Sequence, residues 1–371
     1  MKTLTVQIVL QSPTLLAAAP PASNLTETLL FVPGNTVRGV LAYRSLDRGR
    51  DSSDPVFQRL FVQGEARFGC AYITGALPIP LSSRSCKYDP GFTNDLGGHG
   101  MIDLLLAGSE EKRCTHVSRG HACGQAVDYA QGFYDPHGFC KAPVKTRLIT
   151  RTAIDPTRGA ARTGQLYSQR VLAEEQTFTA TVEVSDELHA PLQALLDPPF
   201  SSRLGTGGSR GQGWAEVSQE ANGNLNWGAA ADRFQRFRAA QKGLSVLAVT
   251  LLSDSFFHDD YLRDTTAPSL DDLIPLGIDP KDWNPDPHAR TGFMDTRLIF
   301  GFDGEPIRLP RQPRLAVAAG SVFLFHAKDG VSNPTVPAEN GIGWIGDRNS
   351  EGYGRAVLWH PFHLAPEGGQ P

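Results

Sequence analysis

Five glycines fall within nine residues of Arg203-Leu-Gly-Thr-Gly-Gly-Ser-Arg-Gly-Gln-Gly-Trp214: Gly205, Gly207, Gly208, Gly211 and Gly213, with Arg203 and Arg210 beside them. Glycine adopts φ > 0 freely and lets another backbone come close, so such a run suits contact with a phosphate or sugar chain. A mobile surface loop has the same composition. A second run, Gly341-Ile-Gly-Trp-Ile-Gly-Asp-Arg-Asn-Ser-Glu-Gly-Tyr-Gly-Arg355, leads into Ala-Val-Leu-Trp. It shares the plan of an apolar-Gly start, an arginine, a Gly-x-Gly pair with an aromatic beside it, and an apolar strand. Matching Arg210 to Arg348 leaves the spacing different by a few residues. The similarity reads as a duplicated domain.

A different chemistry is on offer between Cys86 and Cys123. Cys86 precedes Lys-Tyr-Asp-Pro-Gly-Phe, His99 sits in Gly-Gly-His-Gly, and Cys114-Thr-His116 is followed by His121-Ala-Cys123-Gly. Structural zinc takes four thiolate or imidazole ligands in a tetrahedron. The expected set is Cys86, His99, Cys114 and Cys123, with His116 and His121 as substitutes; inert buried thiols and surface histidines are the plainer alternative. Cys70, in a strand pattern, and Cys140, beyond Gly132-Phe-Tyr, are left out. The odd number of cysteines, five, fits metal or free thiols in a reducing cytoplasm better than a disulfide framework.

The third candidate is a basic stretch. Lys141, Lys145, Arg147, Arg151, Arg158, Arg162 and Arg170 share thirty residues with a single acid, Asp155. Arg147-Leu-Ile-Thr-Arg-Thr-Ala-Ile alternates as a strand, Asp-Pro-Thr-Arg-Gly-Ala-Ala-Arg-Thr-Gly makes a turn-rich tip, and Gln165-Leu-Tyr-Ser-Gln-Arg-Val-Leu returns. An arginine-lined hairpin suits gripping an RNA backbone, whereas an ordinary solvated edge would usually mix its charges. Asp155 reads as a salt-bridge partner; the alternative is the catalytic carboxylate of a ribonuclease.

These groups need elements to hold them. The 371 residues suggest two to three domains, and 40% hydrophobic with 20% charged residues can bury a sizeable core. Net charge of −4 gives no global attraction to nucleic acid, so any binding must come from local patches. No run is long and apolar enough for a membrane helix. Leu4, Val6 and Ile8 alternate with Thr3, Thr5 and Gln7, which favours a first strand over a signal peptide. A helix follows with Asn35 or Thr36 as cap, Val37, Val40, Leu41 and Tyr43 or Arg44 on its buried face, and Arg38 in its first turn. A cation there is tolerated more readily if an anion visits that helix end. Strand material over 66–82, a strand at Phe178–Val184, a helix from Asp186, the first glycine run and a strand from Trp214 complete a βαββαβ order. The reading is α+β, with two ferredoxin-like domains in tandem: 1–220, with a metal-loop insertion at about 84–140 and the basic hairpin at about 144–172; a linker at 221–243 with a short helix around Phe234 and Phe237; and 244–371. The second domain carries an acidic insertion at about 254–295 with ten aspartates, read as solvated or facing a basic protein. Strands are expected around Thr296–Phe302 and Val322–His326, with a helix near Pro337–Ile345.

Val32-Pro-Gly-Asn-Thr-Val-Arg-Gly-Val-Leu-Ala resembles the first-helix motif of the RAMP superfamily of CRISPR-associated proteins, and Ile154-Asp-Pro-Thr-Arg-Gly-Ala-Ala-Arg-Thr-Gly-Gln-Leu-Tyr its thumb-like hairpin. The Cys86-Lys element with its downstream cysteines and the C-terminal Gly-Asp-Arg-x-x-Glu-Gly-Tyr-Gly-Arg look more narrowly like the two-domain subunit of type III-D effector complexes. Gly120 departs from that pattern where a cysteine is expected, with Cys114 as its substitute. The resemblance implies a subunit that binds the 5′ tag of the guide RNA (crRNA) and caps the backbone filament in antiviral defence. Its partners would be other RAMP backbone subunits and the large signalling subunit, with target RNA met indirectly. Carried over by motif, RNA contacts fall on Arg38, the hairpin cations Lys145, Arg147, Arg151, Arg158 and Arg162, the loop from Arg203 through Gly205 to Gly213 with Arg210, and Arg348, Gly352, Gly354 and Arg355. Relatives that cut RNA use a histidine in the N-terminal half or an aspartate after the first strand. Here no histidine precedes His99, and the loop after the first strand holds only Glu27. The expectation is an RNA-binding subunit without catalysis; the rivals are an endoribonuclease and a zinc-stabilised protein-interaction module.

Overall fold

The computed structural model describes all residues except 20–23, 108–112, 119–120, 156, 221–226, 285–292, 302–310, 332–333, 338 and 365–371, and the side chains of 107, 118, 153 and 160–165. The chain is mixed α+β, built on two antiparallel sheets. The first contains β1 (Lys2–Leu10), β2 (Arg67–Phe68), β3 (Tyr72–Ile73), β6 (Thr177–Val184), β7 (Phe200–Arg203) and β8 (Trp214–Glu220). Its order is β7-β8-β1-β6-β2, with β3 also on β6. Helix α1 (Gly34–Asp47) follows β1, with α2 (Pro55–Phe61) after it, and α3 (Asp186–Leu196) follows β6. The hairpin of β4 (Thr146–Asp155) and β5 (Ala160–Leu172) is inserted between β3 and β6.

Two-residue alternation dictates what this sheet buries. In register, Leu4 faces Val182, Val6 faces Ala180 and Ile8 faces Phe178. All six lie in one core with Val37, Val40 and Leu41 of α1 and Leu188, Leu192 and Leu195 of α3. Such a side chain contributes about 2 kcal/mol on full burial. The alternate residues Thr3, Thr5, Thr179, Thr181 and Glu183 fall on the opposite face. α1 starts two to three residues earlier than expected: Pro33 is its N-cap, no side chain caps it, and no acid lies in its first turn. Proline fixes φ near the value an extended cap needs, so neither Asn35 nor Thr36 is required there. Tyr43 points outward, 65% exposed.

The second sheet repeats the order. It contains β9 (Val246–Leu251), β10 (Trp283–Asn284), β13 (Val322–Ala327), β14 (Ile342–Trp344) and β15 (Arg355–Leu358), arranged β14-β15-β9-β13-β10. A hairpin of β11 (Thr296–Ile299) and β12 (Arg314–Val317) sits between β10 and β13, where β4 and β5 sit in the first half. The helices do not repeat. A 3-10 stretch, Asp271–Leu276, replaces the first helix, and no helix lies between β13 and β14 among the described residues. The helix expected near Pro337–Ile345 is strand β14, paired to β15 from Ile342 to Trp344. The missing cover is supplied by α4 (Ala230–Ala240), inside the stretch read as a linker; Ala230, Phe234 and Phe237 are buried with Val246 to Val249 and Trp359.

One buried histidine ties this second core to pH. His360 is fully buried, and desolvation, then the charges of His363 and Arg233, hold its imidazole well below the usual histidine range. The unfolded chain then takes up the proton more readily, so stability is complete above the unfolded value near 6.5 and is lost as pH falls below it. Lowering pH from 7 to 5 is therefore expected to reduce stability through this group. Denaturant melts of wild type and His360→Gln at both pH values check it; equal losses in the two chains would place the effect elsewhere.

Candidate nucleic-acid interface and metal centre

The two glycine runs superpose without a gap. Leu204 matches Ile345, Gly205 matches Gly346, the 3-10 turns Gly208–Arg210 and Asn349–Glu351 match, and Gly211 and Gly213 match Gly352 and Gly354. The hydrogen bonds agree as well. Leu204 and Ile345 each donate to the glycine carbonyl nine residues on, Gly213 or Gly354, at 2.8 Å. Trp214 N–H donates to Ser12 Oγ at 2.8 Å, and Arg355 N–H to Ser253 Oγ at 2.9 Å. This corrects the sequence register. Arg348, at φ +57°, stands where Gly207 stands at +82°, and the position of Arg210 is taken by Glu351. The arginines had invited a match that the turn geometry does not make.

The copies face different surroundings. In the first, Arg203 and Arg210 are exposed; the Arg203 guanidinium lies 4.5 Å from the centroid of the Trp214 ring, and Arg210 donates to Tyr167 Oη at 2.8 Å, tying the loop to β5. In the second, the 3-10 turn abuts the start of α1. A Cβ on Gly352 would lie 2.5 Å from Phe68 O and 2.8 Å from Gly34 Cα, and one on Gly354 would lie 1.9 Å from Ile345 O. Gly352 and Gly354 therefore serve close backbone packing. Arg355 lines a separate cavity behind the first sheet.

A groove runs between the two loops, past the positive end of α1. One recess, about 260 Å³, is bounded by Gly205 and Thr206 of the first loop, Phe31, Asn35, Asp254, Arg297 and Phe300. The next, about 330 Å³, is lined by Arg38, Arg311, Arg314 and Arg348; Asn35, Thr36, Phe300, Glu351 and Tyr353 belong to both. Four guanidinium groups around the uncapped end of a 14-residue helix form a local positive field on a chain of net charge −4. Acids hold the arginines in place. Glu351 lies 3.8 Å from Arg311 and 3.9 Å from Arg348, and Asp264 lies 2.8 Å from Arg314. Asp254, assigned from sequence to a solvated acidic insertion, is buried. Desolvation raises its carboxyl, opposed by Arg297 at 3.3 Å and the Ala319 N–H at 2.9 Å.

Arg38 and Arg348 are brought together here; Arg297, Arg311 and Arg314 were not foreseen. The signal for Arg311 and Arg314 was Arg308-Leu-Pro-Arg-Gln-Pro-Arg314, arginines every third residue between prolines; Arg308 itself lies outside the described residues. On the basic hairpin, Arg147 pairs with Glu174 at 2.9 Å and Arg170 with Glu27 at 3.0 Å. Lys145, Arg151 and Arg158 have no ion pair among the described residues, and the Arg162 side chain lies outside them. Asp155, expected as a salt-bridge partner, has no ion pair among the described residues. Its carboxylate accepts from the N–H groups of Thr157 and Arg158 at 2.9 and 3.3 Å and so closes the tip turn.

Cys86, His99, Cys114 and Cys123 converge as expected, their ligand atoms all within 4.8 Å of one another. Cys86 lies on a strand paired to Val127–Tyr129, and a hairpin joined by Cys123 N–H to His116 O at 2.8 Å returns Cys123 beside Cys114. Cys86 Sγ to Cys123 Sγ is 3.9 Å, and Cys114 Sγ to His99 Nδ1 is 3.7 Å. Tetrahedral zinc has S···S and S···N edges of about 3.8 and 3.6 Å, so the donor set and its spacing fit that ion. His99 Nε2 meets Asp89 at 3.5 Å, an arrangement that would leave Nδ1 facing a metal. Desolvation works against the Cys86 thiolate, but hydrogen bonds from the Asp89 and Tyr88 backbone and from His99 bring the thiol down to about 7. His116 stacks on His99 at 4.2 Å and His121 is exposed; neither joins the set.

No family model matches the chain, and no curated protein matches it. Among solved structures it is similar to a chain of type III-B Cmr-beta bound to cognate target RNA and AMPPnP, at 13% identity over 86% of each chain, with TM-score 0.43. A chain of type III-B Cmr-beta bound to cognate target RNA gives 11% identity over 59% of this chain and 97% of that one, with TM-score 0.36. Pyrococcus furiosus Cmr4 (Cas7) gives 13% over 59% and 99%, with TM-score 0.27.

Proposed function

We propose that the chain is a RAMP-type RNA-binding subunit of a type III CRISPR effector complex, which holds the 5′ tag of the guide RNA and caps the backbone filament without cutting RNA itself. The groove carries this reading. Guanidinium groups and the positive end of a helix hold phosphates whatever the base sequence, and Phe31 and Phe300 offer faces to unstacked bases. Lys145, Arg151 and Arg158 would continue the track along the hairpin, and the first glycine loop would join the two. Residues 1–220 and 244–371 form the two repeats in this reading, with α4 belonging to the second. Zinc is the proposed occupant of the cysteine–histidine cluster, in a structural role, since all four ligands come from the protein. The complex is cytoplasmic in this reading, with other RAMP subunits and the large signalling subunit as neighbours.

Affinity for guide RNA with and without its 5′ tag, titrated across salt concentrations and followed on a gel, tests the proposal. Tight, tag-dependent, salt-sensitive binding to intact RNA is the expected result. Replacing Arg38 and Arg348 together by alanine should lower the salt slope by about 1.4, two single-strand phosphate contacts. Binding that ignores salt would remove the RNA role, and cut RNA would make the chain a nuclease.

A further inference from the structure

The first sheet turns Thr3, Thr179, Thr181 and Glu183 away from its helices, and the second half packs over that face. Between them is a cavity of about 210 Å³, completed by Tyr72, Trp227, Leu252, Ile342 and Arg355. The Arg355 side chain stands in it without a partner. Its Nε is buried and unbonded, and its guanidinium makes no hydrogen bond or ion pair among the described residues. The nearby charge, Glu183, is committed elsewhere and accepts from Trp344 Nε1 at 2.8 Å. Arg355 is half-buried, with only its Nε shut off from solvent; a partly desolvated cation without a partner is costly, and an anion seated against it would offset that cost.

We propose that this cavity binds a phosphate group, with Arg355 as the charged anchor and the hydroxyls of Thr179 and Thr181 as further donors. The guanidinium fork matches a phosphate's oxygens, and threonine hydroxyls donate to any that remain. The volume is below the roughly 300 Å³ at which pockets begin to take drug-sized ligands, so a single small anion fits and a whole nucleotide does not. Free phosphate and the terminal phosphate of an RNA share this chemistry. Glu183 sets the affinity: its negative charge opposes the anion. The site does not depend on the groove at α1, which uses other residues.

Calorimetric titration of the full chain with inorganic phosphate tests it, alongside Arg355→Met and Glu183→Gln. Wild type should bind, Arg355→Met should bind at least about tenfold more weakly, and Glu183→Gln should bind more tightly. Thermal melts in phosphate and in chloride of equal ionic strength should rank the three proteins the same way. Competition by a 5′-phosphorylated dinucleotide, and not by its 5′-hydroxyl form, would name an RNA end as the source; competition by neither would name free phosphate. No phosphate-dependent signal from wild type overturns the site, as does unchanged affinity in Arg355→Met. Should Arg355→Met fail to fold, Glu183→Gln still decides: affinity unchanged or weakened overturns it. A purely structural Arg355–Glu183 pair predicts loss of stability in both variants and no response to phosphate.

Discussion

Removal of metal, by a chelator or by Cys123→Ser, is expected to unfold the hairpin between Arg113 and Ala126 while both sheets stay folded. Among the described residues of that segment only Cys114 is buried. Its strands, Val117–Ser118 and His121–Ala122, are two residues each, and Val117 is 62% exposed. Apolar burial this small cannot order a loop, whereas a structural zinc ion provides about 10 kcal/mol or more of binding free energy that exists only when its ligands are assembled. The purified chain should carry one zinc, measured by elemental analysis, and proteolysis after chelation should cut first within this hairpin. Cys70→Ser and His116→Ala should keep the metal, because neither residue is in the cluster. A metal-free chain with an unchanged cleavage pattern would reduce the four residues to a chance gathering.

Gly34→Ala is expected to be among the most damaging methyl groups that can be added to the molecule. The new Cβ would lie 1.9 Å from Phe68 O, 2.7 Å from Gly352 Cα and 2.8 Å from Glu351 O. All three are backbone atoms, so no rotamer change relieves the clash, and the second loop must move away from α1. A loss of about 3 kcal/mol or more is expected, read as a lower denaturation midpoint. RNA affinity should fall with it, since Glu351 and Arg348 move together. Gly39→Ala is the control, in the same helix with open space around the added carbon; it should leave RNA affinity unchanged and stability equal or slightly higher, by up to about 1 kcal/mol. A Gly34→Ala chain as stable as wild type would mean that the loop and helix are not locked together.

Some of this was legible because local chemistry and tertiary structure agree. The alternation of Leu4, Val6 and Ile8 made a strand, the turn-rich tip around Asp155 made a hairpin, and four residues of metal-ligand type close in sequence did meet in space. Other features were hidden for identifiable reasons. Arg348 and Arg210 drew the eye to a false register because side-chain type is conspicuous, whereas the left-handed positions at Gly207 and Arg348 that align the loops are not. The short strand at Ile342–Trp344 has its place only because β15 pairs with it. Asp254 read as one more solvated acid, since nothing local reveals that Arg297 and the Ala319 N–H await it. The arginines at Arg311 and Arg314 are far in sequence from Arg38, and only the β11–β12 hairpin brings them to α1.

Because the groove is walled by α1 on one side and by β11, β12 and the second loop on the other, whatever occupies it must also act as a strap across the two halves. If RNA occupies the groove as proposed, thermodynamic linkage would make it a cohesive agent: each tenfold of free RNA above its dissociation constant would add about 1.4 kcal/mol against unfolding, and any motion parting the halves would be opposed for as long as the strand is held. On that proposal, an occupied groove would be the stiffer state of the molecule.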